Sequence, residues 1–345
     1  MNELIKEETL REASESMELK EAPALIEGVM VTGATTPVGC QLVHRLLRDP
    51  TIKKVLALGL EPHAATFLPP HPKLTYMNVD LTRTRGIRSL LFGPARDLGV
   101  EAIIHTAQHR KATDRGRKVR LLNVESSRAL LELSEEHPTI ERFILRSYID
   151  VYKIDLHLPV MIEENHPVNI GRELSQWVRD RVEADLTVCS RMGLCNLHIN
   201  VLRFAECLGE NIGSQLYDYL CSRVCFRPMG FDPMINVISI QDMVEAFTLS
   251  LRSTGQGVYN IPGKDTLPLS DIIHHAGRTC IPMPGNLISP LYQVRRLTRG
   301  TDFRYSLNNK RFHLNSVLDG SRASRELGYN PMFGVDWEGL EFEKH

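Results

Sequence analysis

The sequence predicts an α/β protein, a doubly wound parallel sheet covered by helices on both faces and followed by a smaller C-terminal lobe. Two observations carry this. Short runs that are apolar at nearly every position recur at 29–31, 54–58, 74–79, 102–104 and 142–145, and a strand that is apolar on both sides is one buried on both sides. Between these runs, apolar residues return at helical spacing, as at Val38, Leu42, Leu46 and Leu47. Strand–helix alternation of this kind is the pattern of parallel βαβ units.

The elements follow in order. Residues 1–27 hold eight Glu against three basic residues and are predicted as an acidic extension, either a short docked helix through Leu4, Ile5, Leu10 and Met17 or a frayed tail. The sheet domain is predicted over 28–205. Its later parts are long helices near 117–136 and 171–192 and a strand at Asn196–Leu202. Beyond about residue 208 the order loosens. Strands at Asn236–Ile240 and Val258–Ile261 alternate with helices near 241–252 and 269–277, so 206–345 is predicted as mainly a substrate-binding lobe with a C-terminal helix. The 345 residues are 42% hydrophobic and 24% charged, with a net charge of −1. That balance argues against nucleic acid or an anionic membrane as partner. No apolar run approaches the ~18 residues of a membrane span. The acid-rich start lacks the layout of a signal peptide, so a cytoplasmic location is expected. The seven cysteines are scattered, and the one close pair, Cys221 and Cys225, has no second pair at zinc-ligand spacing. Reduced thiols and no metal site are expected.

Chemistry first appears at the turn after the first strand. Ligand phosphates need backbone N–H groups at close range, and a helix N-terminus adds a favourable dipole. In Val-Met-Val-Thr-Gly-Ala-Thr-Thr-Pro-Val-Gly, residues 29–39, Gly33 supports a tight turn and Gly39 lets the helix pack on the strand. Thr35, Thr36, Pro37 and Val38 lie between them, and the strand–loop–helix context makes this a phosphate loop. An ordinary strand–helix turn is the alternative.

This loop resembles the T-G-x-x-G-x-x-G signature of the extended short-chain dehydrogenase/reductase superfamily, with Thr36 in place of the middle glycine. Further landmarks follow in register. Asp80-Leu81 resembles the acidic residue that meets the adenine, and His105-Thr106-Ala107 the H-x-A motif beside the cofactor. Asn123-Val124 resembles the helix asparagine that organises the site. Val151-Tyr152, Leu202-Arg203 and the terminal run Ser321–Pro331 match as well. The resemblance covers about 28–340, and 258–278 is similar to the second lobe of an atypical subgroup likened to UDP-glucose 4-epimerases. It implies a Rossmann-type fold, an NAD or NADP cofactor, and an epimerase, dehydratase or reductase reaction on a small molecule such as a nucleotide sugar. It also implies a homodimer built through the helices at 117–136 and 171–192. After the second strand, Gly59 and Leu60 stand where acidic or basic selectors are usual. Glu61 is left to meet the ribose, which favours NAD over NADP; a solvated loop glutamate is the bland reading.

At the catalytic positions the resemblance fails. The family uses tyrosine and lysine at Y-x-x-x-K spacing on one helix face, with a serine or threonine after the fifth strand. Aligned through Glu183-Ala184-Asp185, this chain has Trp177 for the tyrosine and Arg181 for the lysine. Tyr148 takes the serine position, with Ser147 one place earlier. An indole donates a hydrogen bond but does not relay protons near neutrality, whereas Arg181 still binds ribose or phosphate. Replacement groups would be Tyr148 assisted by Arg181, or Glu163, Glu164, His166 and His105, each of which also reads as ordinary packing or a solvated loop. Arg223, Arg227 and Arg278 are candidates for a diphosphate, and the apolar–basic stretch 281–299 for a substrate channel or an interaction helix. Three functions remain open: an enzyme with a rebuilt site, a catalytically silent dinucleotide sensor or scaffold, and a structural subunit.

Overall fold

Seven strands pair in parallel into one sheet in the computed structural model, which describes residues 25–63, 67–171 and 173–342. They are β1 (Gly28–Thr32), β2 (Lys54–Gly59), β3 (Leu74–Asn78), β4 (Ala102–His105), β5 (Arg142–Tyr148), β6 (His198–Phe204) and β7 (Gly257–Ile261), in the spatial order β7-β6-β5-β4-β1-β2-β3. Every residue of β1, β4 and β5 is buried, as the near-continuous apolar runs require. The expected doubly wound, Rossmann-type fold is what forms. The proposed helix through Leu4, Ile5, Leu10 and Met17 lies outside the described residues.

Side chains of a strand alternate between faces, and β1 shows what that does here. Val29 and Val31 join one core with Val38, Leu42 and Leu46 of α1 (Pro37–Leu47). Met30 joins the opposite core with Leu130 and Leu131 of α2 (Ser126–Glu135). Helix α2 continues the helical segments Arg117–Arg120 and Leu121–Glu125, in agreement with the expected helix over 117–136. Helix α3 (Gln176–Cys189) is shorter than the expected 171–192, because the Ser175 hydroxyl accepts a hydrogen bond from Val178 N at 3.4 Å and caps its start.

Three strands differ in place from the sequence reading, and the one expected at 196–202 is β6, His198–Phe204. The strand expected at 236–240 is Met234–Ile238, since Ser239 becomes the N-cap of α4 (Ile240–Arg252). The strand at 257–261 is β7, paired with β6 at the sheet edge. The chain thus returns to the large sheet after building the lobe. The lobe has its own core, in which Tyr219 packs on Phe303 and Phe312 at 5.0 Å each. None of the seven cysteines is disulfide-bonded. Among the described residues, no helix is long and apolar enough to cross a membrane.

Candidate functional site

Strand order reverses between β1 and β4, and the crevice beyond the strand ends at such a point is where α/β sheets bind ligands. A 300 Å³ cleft opens there, lined among others by Thr35, Glu61, Leu81, Ala107, Arg110 and Asn211. Gly33 has φ +66°, and a Cβ on it would lie 3.0 Å from Ala107 Cα; a Cβ on Gly39 would lie 2.1 Å from the Gly33 carbonyl oxygen. Both positions therefore demand glycine. Thr36 does more than narrow the loop. Its hydroxyl donates to Gly33 O at 2.8 Å and accepts from Gly39 N at 3.1 Å, so it caps α1 from within. Pro37 has no N–H. The N–H groups of Thr35 and Val38 make no hydrogen bond within the described protein. These are the donors left for a phosphate.

The end of β2 explains its missing acid. A Cβ on Gly59 would meet Tyr76 Oη at 2.5 Å, Thr35 Cγ2 at 2.7 Å and Glu61 Oε2 at 3.0 Å. The Glu61 carboxylate accepts from Leu60 N at 3.1 Å, so it lies over the very place where an acidic side chain at 59 would start.

Other expected residues divide into those that face the cleft and those that brace it. Leu81 and Ala107 line it. The Asp80 carboxylate instead accepts from Thr82 N at 3.0 Å and Thr82 Oγ1 at 2.6 Å, bonds that hold it below the usual carboxylate range. His105 is fully buried between Thr32 Oγ1 (2.8 Å) and Ser127 Oγ (3.0 Å), and burial pushes its imidazole down to about 4. Burial thus favours the neutral ring, held between two hydroxyls. Thr106 Oγ1 donates to Thr32 O at 2.6 Å. Asn123 Oδ1 accepts from His109 N at 2.7 Å, which fixes the loop carrying Arg110 and Lys111.

Tyr148, Trp177 and Arg181, the residues expected at the catalytic positions, come together, but not around open space. The Arg181 guanidinium lies 3.7 Å from the ring centroid of Tyr148 and 3.7 Å from that of Trp177. It donates to an oxygen of Asp150 and to Gly213 O at 2.9 Å. Asp150 also accepts from Arg311 at 2.7 Å, and Arg311 donates to Glu206 at 2.5 Å. Burial favours the neutral acid at Asp150, yet Arg311 and Arg181 outweigh it and hold the carboxyl below its ordinary range. Arg146, 4.9 Å from the Tyr148 ring, donates to Ile212 O at 3.2 Å. The carbonyls of Ile212 and Gly213 thus close this chamber from the lobe side. The space left measures 10 Å³, room for about one water.

Asp185 forms a buried bidentate pair with Arg203 at 2.6 and 3.0 Å, and Ser147 Oγ donates to the same carboxylate at 2.5 Å. The E-A-D and L-R motifs therefore lock α3 onto β6, with Ser147 spent on that lock. The other suggested groups stand apart from the cleft. His166 Nε2 lies 2.9 Å from Lys153 O, and Glu164 accepts from Asn260 N at 2.9 Å. Arg227 and Arg278 donate to the carbonyls of Phe231 and Leu220. Neither Glu163 nor Arg223 lines the cleft or the chamber. Sequence reasoning missed Asp150, Arg146, Arg311, Glu206 and Arg110. Arg311 stands 161 residues from Asp150, and no local pattern joins them. Among the described residues, no three His, Cys, Asp or Glu side chains are placed to hold a metal ion.

No family model matches the chain. An uncharacterized protein of Mycobacterium tuberculosis is 28% identical over 319 residues, covering 90% of this chain and 82% of its own length. An uncharacterized protein of Mycobacterium bovis matches with the same figures. Among solved structures, the Bordetella bronchiseptica enzyme WbmH in complex with NAD+ superposes with a TM-score of 0.68 at 15% identity, over 90% of this chain and 95% of that one. UDP-glucuronic acid 4-epimerase from Bacillus cereus, in complex with UDP-glucuronic acid and NAD, gives 0.67 at 17% identity, over 92% and 98%. dTDP-glucose 4,6-dehydratase from Bacillus anthracis, in complex with NAD, gives 0.67 at 14% identity, over 92% and 94%. The structural neighbours are thus NAD-dependent epimerases and dehydratases of the extended short-chain dehydrogenase/reductase type, and the chain has their fold.

Proposed function

We propose that this chain is an NAD(P)-binding relative of the epimerases and dehydratases that lacks their tyrosine–lysine proton relay and acts as a nucleotide-responsive sensor or scaffold. The observation that carries the reading is Arg181, held between the rings of Tyr148 and Trp177 and tied to Asp150 and Gly213. A side chain stacked on two rings and tied at both terminal nitrogens is fixed to its own protein neighbours rather than poised for a ribose. A chamber of 10 Å³ also has no room for a sugar beside a cofactor. Tyr148 offers a phenol at the family's serine position, yet Arg181 covers one face of its ring, so the rebuilt-relay reading has no open substrate approach.

The adenosine side is a better fit. Leu58, Leu60, Val79, Leu81 and Leu122 give the cleft an apolar wall. Glu61 is placed for ribose hydroxyls, and its charge would repel a 2′-phosphate. The Thr35 and Val38 N–H groups face the start of α1 with its dipole. The Glu61 charge is the feature that favours NAD over NADP. When bound, such a cofactor supplies hydride chemistry; the residues here bind and orient it without a proton path.

Calorimetric titration with NAD+, NADH, NADP+ and NADPH tests the reading. The expected result is micromolar binding of the NAD pair and binding at least about tenfold weaker for the NADP pair. Folded protein that binds none of the four would overturn it and leave a structural subunit.

A further inference from the structure

A second cleft opens beside the first. It also measures 300 Å³ and lies between the loop at 209–214 and residues 300–302 of the lobe. Arg110, Lys111 and Asn211 line both clefts, so the two meet at these side chains. Arg110 is exposed and makes no ion pair with any described residue, whereas Lys111 Nζ lies 3.5 Å from Asp302. Asn211 sits at the junction in the left-handed region, with φ +58°. Past the junction the second cleft presents polar groups, Asp218 and Asp302 among them.

A ligand laid along the apolar wall and over the phosphate loop therefore meets a fork. One branch is the closed chamber behind Arg181; the other is the open polar cleft past Arg110. We infer that the natural ligand takes the second branch and is an adenosine diphosphate carrying a neutral sugar on its distal phosphate, of the ADP-ribose class. This rests on the nucleotide reading proposed above. Arg110 and Lys111 meet the diphosphate where the cleft turns, and charge-assisted contacts of that kind are strong. The sugar hydroxyls donate to the remaining acceptor positions of Asp218 and Asp302, whose carboxylates already accept from Gln215 Nε2 at 2.7 Å and Thr113 Oγ1 at 2.8 Å. Burial, with the nearby charges of Asp302 and Glu206, pushes the Asp218 carboxyl up to about 7. Near neutrality it can then accept from one hydroxyl or donate to another. NAD+ carries nicotinamide where ADP-ribose carries its anomeric hydroxyl, so it offers the polar walls of the second cleft one hydroxyl fewer.

Calorimetry with ADP, ADP-ribose and NAD+ tests this on the full chain and on two variants. ADP-ribose is expected to bind about tenfold tighter than ADP and at least as tightly as NAD+. Arg110→Ala, on an exposed side chain, should weaken ADP and ADP-ribose alike by about tenfold. Asp218→Ala should remove the advantage of ADP-ribose and leave ADP unchanged. NAD+ binding about tenfold tighter than ADP-ribose would overturn the inference, since the ligand would then enter the chamber. Equal binding of ADP and ADP-ribose would overturn it as well, by emptying the second cleft. Failure of all three ligands, with folded protein, would bring down the underlying nucleotide reading instead.

Discussion

Replacing Asp150 by asparagine is the sharpest way to test how the chamber around Arg181 is held shut. The carboxylate accepts from both Arg181 and Arg311, and Glu206 is the other acid in the chain of contacts. The side chains involved are 5% exposed at Arg181, 11% at Arg311 and 14% at Asp150. Asparagine keeps the shape and one acceptor but removes the charge, leaving Arg181, Arg311 and the buried Arg146 against Glu206 alone. Breaking a buried ion pair from one side costs about 3–5 kcal/mol. At roughly 2 °C per kcal/mol for a chain of this size, the melting temperature should fall by about 6–10 °C. Because the folded-state carboxyl is held low, its stabilisation is complete above the unfolded value of about 3.9 and is lost as pH falls through the folded value. The acid limb of the stability profile should therefore be shallower in Asp150→Asn than in the parent. Urea unfolding at pH 7 and again near pH 3 reads both effects, since the loss sets in below the unfolded value of about 3.9. A loss below about 1 kcal/mol, the size of a solvent-exposed pair, would refute the reasoning and mean that water reaches the network freely.

Four further outcomes follow from the same geometry. Gly39→Ala places a Cβ 2.1 Å from the Gly33 carbonyl oxygen, so α1 must move; NAD+ affinity by calorimetry should drop at least about tenfold. Gly59→Asp, which restores the family's acidic position, should lower stability by about 1–3 kcal/mol in urea unfolding, because its Cβ meets Tyr76 Oη and Thr35 first. Ser147→Ala should cost about 1–2 kcal/mol by the same assay through its lost bond to Asp185, with NAD+ binding unchanged. For Asp218 the folded carboxyl titrates at about 7, above its unfolded value, so the folded state holds the extra proton. Its contribution should fall by up to about 1.4 kcal/mol per pH unit between about pH 4 and 7 and then level off. Asp218→Asn should flatten that slope in a melting-temperature series.

How far the sequence could be read depended on how local each cause was. β1, β4 and β5 are buried on both faces, so their apolar runs announced them. The phosphate loop was legible because Gly33 and Gly39 answer to contacts within a few residues or across one strand. Strand ends were less so. Met234–Ile238 stops where Ser239 caps α4, and the apolar Ile240 beyond it extended the apparent strand. The return of Gly257–Ile261 to the large sheet was hidden because an edge strand and a lobe strand share one pattern. Among the residues expected at the site, Tyr148, Trp177 and Arg181 come together, yet their mutual stacking was not foreseeable. It depends on Arg311 and Glu206, which the chain brings in from distant segments. His105 was open to two readings, a replacement group or ordinary packing, and its bonds to Thr32 and Ser127 fit the second.

The central claim is nucleotide binding without the family's turnover. Its most direct test is to load the purified chain with NAD+ and incubate it with UDP-glucose, UDP-glucuronic acid and dTDP-glucose. Absorbance at 340 nm reports any reduced cofactor, and chromatography reports any isomer or dehydrated product. The account predicts bound NAD+, no reduced cofactor and unchanged sugars. Product formation that disappears in Tyr148→Phe would contradict it and establish a rebuilt relay in its place.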